Sequence, residues 1–435
     1  IKAFKPIPYL QEKNRDWPVY LMAYGHLPEP ITSLRDVQPL PKGNYLLYNA
    51  SLAVHRVKLF DEFTYSELSG NRHEVINQIQ DTLQKAVARH LISDARIGIF
   101  LSGGIDSGII ALLANNNIDK QLNTLSVYFN EADYSEKKYQ DLILQNLFCK
   151  HHQYLLKERE FQIHLPSIIN AMDLPGCDGI NTWFISKYAK ENGLKAVLSG
   201  IGGDELYGGY PSFSRMNMAL LLEKLPNLFL KAGKSAGLKK IRRLVYLSLG
   251  GSVGKYLFLR GQFVPNEIAI QLNADESEIW KILRQQPVSE DISDLTPHNQ
   301  ASWIEMNMYM QNQLLRDADV MSMAHGVEIR LPFLDKEFVT LSLQIQSSLK
   351  YDGQLSKQLL IDSFKDILPE PVWNRPKMGF AFPFKEWMEN DEYVKDCFMS
   401  NGEENIASFQ NFIKGNLHWS QLMTLLLLEE FEYVG

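Results

Sequence analysis

A chain of 435 residues is long for one core, so two domains, or one with a large appendage, are expected. Hydrophobic residues make up 45% and charged residues 22%, ordinary globular values, and no apolar run nears the ~20 residues that span a bilayer, which argues against a membrane protein. Acidic residues (51) outnumber basic ones (44) for a formal charge of -7, which argues against a chain built mainly to coat nucleic acid.

The chain opens Ile-Lys-Ala-Phe, with no charged leader, apolar core or cleavage site, so no signal peptide is expected; a start without Met suggests a fragment or a processed chain. Residues 1–70 are rich in proline, with β-like runs at Gly43–Tyr48 and Leu52–Leu59, which suggests loops and edge strands and too little regular structure for a core of their own. Three scattered cysteines, Cys149, Cys177 and Cys397, have no metal-ligand spacing and suit a reducing cytoplasm.

From Glu74 the texture changes. Val75, Ile79, Leu83 and Val87 fall at helical spacing through about Leu91. The apolar run Ile97–Leu101 then reads as a buried parallel strand, followed by a helix ending near Asn115. A second strand is expected at Thr124–Phe129, a helix at about Glu136–Leu147, a third strand near His152–Leu156, a helix at about Thr182–Glu191 and a strand from Lys195 to Leu198. Such alternation predicts an α/β fold with a doubly wound parallel sheet and ligands at the C-terminal strand ends. Beyond Tyr210 the pattern is largely helical. A basic run from Lys231 to Arg243 reads first as a solvated helical face or loop, with a patch for nucleic acid or an acidic partner as the less favoured reading.

Strand, then Ser102-Gly103-Gly104-Ile105-Asp106-Ser107, then helix is an arrangement suited to phosphate. Glycines let backbone N–H groups approach an anion, the helix turns its positive end toward it, and two hydroxyls add donors. Asp106 would repel phosphate, so its natural task is to hold magnesium. A simple capped turn needs neither both glycines nor the second serine. Ala196–Glu205 repeats the order of strand, glycine loop and acid, so Asp204 could share that magnesium across a nucleotide triphosphate. By contrast, Gly250–Tyr256 only imitates a phosphate loop, because Tyr256 stands where Ser or Thr should be. Taken alone, Leu314–Asp335 reads as a charged helix leaving into a proline turn, and Lys357 as a surface lysine.

Together these segments resemble the asparagine synthetase family, specifically its ATP-using synthetase domain with a PP-loop of the ATP pyrophosphatase kind. The matching motifs are Ser102–Ser107, Ser199–Tyr210, Leu314–Asp335 and Arg375–Phe384, within about Val75 to Trp387. The resemblance implies that the substrate carboxylate, by default that of aspartate, attacks the ATP α-phosphate. Pyrophosphate leaves, and ammonia displaces AMP from the acyl-adenylate. It implies that Leu101, Val127, Ser199 and Gly200 hold the adenosine part, that Ser102, Gly103, Gly104 and Ser107 hold pyrophosphate, that Asp106 and Asp204 bind Mg2+, and that Lys357 neutralises phosphate charge. It implies further that residues 1–70 are the tail of a glutamine-hydrolysing domain missing from this chain. Residues 71–435 would be the synthetase domain, with a nucleotide-binding core at about 75–210 and a helical part at about 211–435. A cytoplasmic enzyme without nucleic-acid or membrane partners is implied, and a homodimer is left open.

One departure bears on the substrate. Ile201 stands where asparagine-forming members carry a glutamate, which puts the identity of the acid in doubt. Another carboxylate, such as a sugar acid or peptide, is the second reading. A nucleotide-binding scaffold without catalysis is the third, and a tRNA-modifying adenylator is disfavoured by the net charge.

Overall fold

The computed structural model describes every residue except 5, 11, 68–69, 118–120, 233–238, 286–289, 380–381, 401 and 434–435. Its centre is a five-stranded, wholly parallel sheet. With the N-terminal hairpin Asn44–Asn49 (β1) and Val54–Leu59 (β2) counted first, the sheet strands are Ile97–Phe100 (β3), Leu122–Tyr128 (β4), Cys149–Leu155 (β5), Ala196–Leu198 (β6) and Glu328–Arg330 (β7). Their order is β5-β4-β3-β6-β7. The chain steps outward from β3 to β4 and β5, then returns to place β6 on the other side of β3. Loops after β3 and β6 therefore flank the point where the winding reverses, where such sheets bind ligands.

Alternate side chains on the strands feed two cores, which is what winding on both faces requires. Val197, Leu125 and Val127 join one core with Phe161, Leu165 and Phe184. Leu198, Ile99 and Leu122 join the other with Ile79, Leu83, Ile109 and Ile143. The helices behind these residues are Arg72–His90 (α2), Ile105–Asn115 (α3), Lys137–Leu144 (α4), Glu158–Ala171 (α5) and Ile180–Glu191 (α6). Helix α2 starts three residues before its apolar stripe, because Asn71 and Glu74 cap each other's backbone N–H groups at 3.0 and 3.4 Å.

Three elements differ from the sequence pattern. Helix α5 carries Pro166 in its interior, which hid it. Strand β7 is a three-residue edge strand where only a helix and turn were expected; it pairs with β6 in register Val197 to Ile329. Near the start, Trp17–Tyr24 (α1) is a helix buried on every side rather than a loop. It has no apolar stripe to detect because all eight residues are in the core. Beyond Gly203–Tyr207 (α7) the chain is helical apart from β7 among the described residues, and Glu305–Leu315 forms a π-helix leading into the helix Arg316–Met323.

The imitation phosphate loop is a buried helix start. Lys255 pairs with Glu223 at 3.0 Å, and the Tyr256 hydroxyl lies 2.8 Å from His26 Nε2. In the basic run, Lys234 lies outside the described residues, Arg242 pairs with Glu267 at 2.8 Å, and Arg243 donates to the carbonyls of Leu259 and Gly261.

Candidate active site

The turn after β3 is closed by its own side chains. Ser102 Oγ and Ser107 Oγ lie 2.9 Å apart, the Ser102 N–H donates to Ser107 Oγ at 3.2 Å, and the Gly104 N–H donates to Ser102 Oγ at 3.3 Å. Both hydroxyls are thus held at the mouth of α3, whose free N–H groups face the same space. Gly103 has φ +83°, and a Cβ there would press on the Gln140 N and Glu136 O of α4 and its cap at 3.2 Å. A side chain at position 103 would be strained and crowded at once.

The turn after β6 lies directly against this one. A Cβ on Gly200 would sit 2.9 Å from Asp106 Cβ, and one on Gly203 would sit 2.5 Å from Asp106 Oδ1. Two glycine loops therefore meet across the switch point, with Asp106 between them. Lys357 comes from far along the chain, at the start of the helix Gln358–Phe364, and its Nζ lies 2.5 Å from Asp106 Oδ2 and also pairs with Asp204 Oδ1. It is 6% exposed, so it is no surface lysine.

Two further cations close the ring. Lys377 Nζ pairs with Asp204 Oδ2 at 2.8 Å and donates to the Gly209 carbonyl at 2.9 Å. Arg375 donates to the Gly103 carbonyl at 3.1 Å and to the buried Glu136 at 2.7 Å, with its guanidinium 3.7 Å from the Tyr139 ring centre. It ties the first loop to the segment after residue 374. Phe380 and Ala381 of the motif that follows lie outside the described residues.

The charges are unevenly held. Burial pushes the Asp106 carboxyl up, despite Lys357, and Asp204 beside it adds to the rise. Burial opposes ionisation of Asp204 too, but Lys357 and Lys377 outweigh it and bring its pKa to about 2. Burial works against the Lys357 ammonium, yet the two carboxylates hold it charged well above the ordinary lysine range. Asp204 is the firmer anion of the two. Asp106 Oδ1 is buried without a hydrogen bond. Two hard carboxylates converging on one cation suit magnesium, and among the described residues no group of three metal-ligating side chains exists. A metal here would take its remaining ligands from phosphate and water, as magnesium commonly does.

The structure brings Ser102, Gly103, Gly104, Asp106, Ser107, Gly200, Asp204 and Lys357 into one site. Leu101 and Val127 are both 2% exposed and offer backbone only: Leu101 O accepts from Ser126 Oγ at 2.6 Å, and Val127 O from Gln140 Nε2 at 3.2 Å. Ser199 continues the ladder toward β7, its N–H donating to Arg330 O at 2.9 Å. Residues not singled out beforehand are Arg375, Lys377, Glu136 and a buried group behind Tyr210. That group comprises Arg260, Glu305, Tyr309, Asp178 and Asp317. The only signal for Arg375, Lys377 and Asp317 was the motif around each; the rest carried none.

Residues 78–417 match the asparagine synthase family. An asparagine synthetase [glutamine-hydrolyzing] 1 of Bacillus subtilis is 28% identical over 399 residues, which is 87% of this chain and 61% of that protein. A putative asparagine synthetase [glutamine-hydrolyzing] of Mycobacterium tuberculosis is 27% identical over 403 residues, covering 87% of this chain and 59% of that one. The chain thus spans about three-fifths of the length of these relatives. A solved NH3-dependent NAD synthetase from Campylobacter jejuni covers 57% of this chain and 96% of its own at 14% identity, with a TM-score of 0.25, too slight a likeness to argue from. With the parallel sheet, its two facing glycine loops and a match over most of its length, the chain belongs to the asparagine synthase family.

Proposed function

We propose that this chain is an ATP-dependent amide-forming ligase that activates the side-chain carboxylate of aspartate and passes it to ammonia, giving asparagine. A carboxylate oxygen bonds to the α-phosphorus, and the bond from that phosphorus to the bridging oxygen breaks, releasing pyrophosphate. Ammonia then adds to the acyl carbon, loses a proton, and expels AMP. The observation that carries this reading is the meeting of Asp106, Asp204 and Lys357 from three distant segments at the C-terminal edge of the sheet.

In this scheme the N–H groups and hydroxyls of Ser102 to Ser107 hold the leaving pyrophosphate, and Leu101, Val127, Ser199 and Gly200 line the adenosine side. Asp106 and Asp204 would hold Mg2+, and the ion would supply positive charge to the phosphate oxygens there. Lys357, freed from the carboxylates it bridges, meets charge building between α- and β-phosphates, where a fixed cation in a dry site stabilises the transition state. The relatives are described as glutamine-hydrolyzing; for this chain ammonia is the immediate nucleophile, and glutamine hydrolysis its proposed source.

Ile201 favours a second reading, the same chemistry on another carboxylate, since isoleucine can neither accept a proton nor orient a charged group. Incubation with ATP, magnesium, ammonium and aspartate should release pyrophosphate and asparagine in equal amounts. Pyrophosphate without asparagine at every aspartate concentration would overturn aspartate as the acid. Failure to bind ATP in calorimetry would overturn the ligase itself and leave a scaffold. Asp106→Ala and Asp204→Ala should each abolish magnesium-dependent turnover, and full turnover in either refutes the shared metal.

A further inference from the structure

We propose that Asp178 and Asp317 form a binding station for an ammonium group, set behind the nucleotide loops on the acceptor side of the site. The inference rests on the amide-forming reading and names what holds its nitrogen-bearing reactant.

Asp317 is 8% exposed, and its Oδ2 has no hydrogen-bond partner. The backbone opposite it is bare: a Cβ on Gly176 would lie 3.3 Å from Asp317 Oδ1, and one on Gly179 would lie 3.3 Å from its Cγ. Between those glycines stands Asp178, which accepts from the Gly179 N–H at 2.9 Å and from the Tyr309 hydroxyl at 3.4 Å. Two carboxylates are therefore held close together, and Asp178 adds to burial in raising the Asp317 carboxyl.

The neighbouring cations favour the charged carboxylates from a distance, Arg316 that of Asp317 and Arg260 that of Asp178, but their hydrogen bonds go elsewhere. Arg316 donates to the Leu27 carbonyl at 3.1 Å, and Arg260 forms a two-pronged pair with Glu305 at 3.0 and 2.7 Å. A buried carboxylate oxygen with no donor bonded to it is costly, so the retention of Asp317 calls for a cation that arrives with the substrate. Two carboxylates and a tyrosine hydroxyl match the three N–H donors of an ammonium.

The position suits a reactant. The Tyr309 ring centre lies 6.0 Å from that of Tyr210, with Arg260 stacked 3.6 Å from the first and 4.7 Å from the second. Lys377 Nζ sits 4.4 Å from the Tyr210 ring centre and reaches Asp204 at 2.8 Å. Two aromatic rings thus separate the station from the carboxylates assigned to magnesium. Its occupant is either the ammonium of an amino-acid acceptor or free ammonium waiting to lose a proton and attack. Recognition of the acceptor at this point would also explain how Ile201 is tolerated.

The test is calorimetric binding of L-aspartate and of succinate, its des-amino counterpart, to the full chain loaded with a non-hydrolysable ATP analogue, together with the ammonium KM in turnover. An acceptor ammonium predicts aspartate binding at least about tenfold more tightly than succinate, with the preference falling to about twofold in Asp317→Asn and in Asp178→Asn. Free ammonium predicts no such preference and an ammonium KM raised about tenfold in the same variants. Unchanged affinity for the analogue shows that the variants are folded. If neither the aspartate preference nor ammonium binding responds to either substitution, the station does not exist. The binding arm needs no turnover, so a response without pyrophosphate release would sink the ligase reading and keep the station.

Discussion

Lys357 holds a left-handed backbone, φ +61° and ψ +29°, in a chain where only Ala53 and Asn273 share that feature among the described non-glycine residues. That geometry aims the side chain back from a helix start into the space between Asp106 and Asp204. Gly209 makes room for it: a Cβ there would lie 1.7 Å from Asp204 Oδ1 and 2.6 Å from Lys357 Cε. Gly209→Ala is expected to force the two apart and cut turnover by ~10²-fold or more, while ATP affinity, which depends chiefly on the first loop, changes far less. Steady-state kinetics beside ATP calorimetry would show it; equal losses in both would contradict it. The residues that could be read in advance are those whose chemistry is local. Ser102 to Ser107 and Asp204 sit in turns whose glycines and acids make sense alone. Lys357, read by itself, is one lysine among many, and Asp317 one acid on a charged helix. Their meaning comes from burial and distant partners, which periodicity does not record.

At the level of elements, the first loop is held from outside by a segment more than 250 residues away. Arg375 bonds the Gly103 carbonyl, faces the Tyr139 ring and pairs with Glu136, whose carboxyl burial pushes up even against this arginine. Removing it leaves a buried acid and a loose loop. Arg375→Ala is expected to destabilise the chain by about 3 kcal/mol, read as a lowered melting temperature, and to raise the ATP KM about tenfold. A melting curve superimposed on that of the parent would refute the strap. Most of the parallel sheet was legible because its strands are short apolar runs bounded by turns. Strand β7 escaped because a three-residue edge strand inside a helical signature has no period to show. Helix α5 escaped because Pro166 argues locally against a helix that packing of Phe161, Leu165 and Ile168 sustains.

Over the whole molecule, the first residues are structural in a way their composition hides. Helix α1 is wholly buried and packs against Trp419–Tyr433, Pro265–Gln271 and Glu276–Leu283, so both ends of the chain share one core. His26 follows it, 1% exposed, among Tyr24, Tyr256 and, further off, Arg316 and Arg260; burial first, then Arg316, lowers its pKa to about 3. A base whose folded pKa lies below its unfolded value stays neutral when folded and takes up a proton on unfolding. Its contribution is complete above the unfolded value near pH 6.5 and is lost as the pH falls toward 3. By pH 5 this amounts to about 2 kcal/mol, and His26→Phe should flatten that slope in melting curves taken from pH 7 to 5; an unaltered slope would show that another group titrates. The hairpin of β1 and β2 is the opposite case. Leu46, Leu47, Tyr48, Val54, Val57 and Leu59 are all exposed, so neither face of this two-stranded sheet is buried. Its base is already closed, because the Phe60 and Asp61 N–H groups donate to the Gly43 carbonyl at 2.7 and 3.1 Å. Replacing residues 44–59 by a short glycine-serine link should therefore leave the melting temperature within about 3 °C of the parent. It should also improve solubility, since an exposed apolar patch and two open strand edges are removed. Cutting back residues 1–34 instead should cost the cooperative transition altogether, because it uncovers the core face of Trp419–Tyr433. Comparable melting curves for the two deletions would show that the hairpin and α1 do not divide the N-terminal segment as their burial implies.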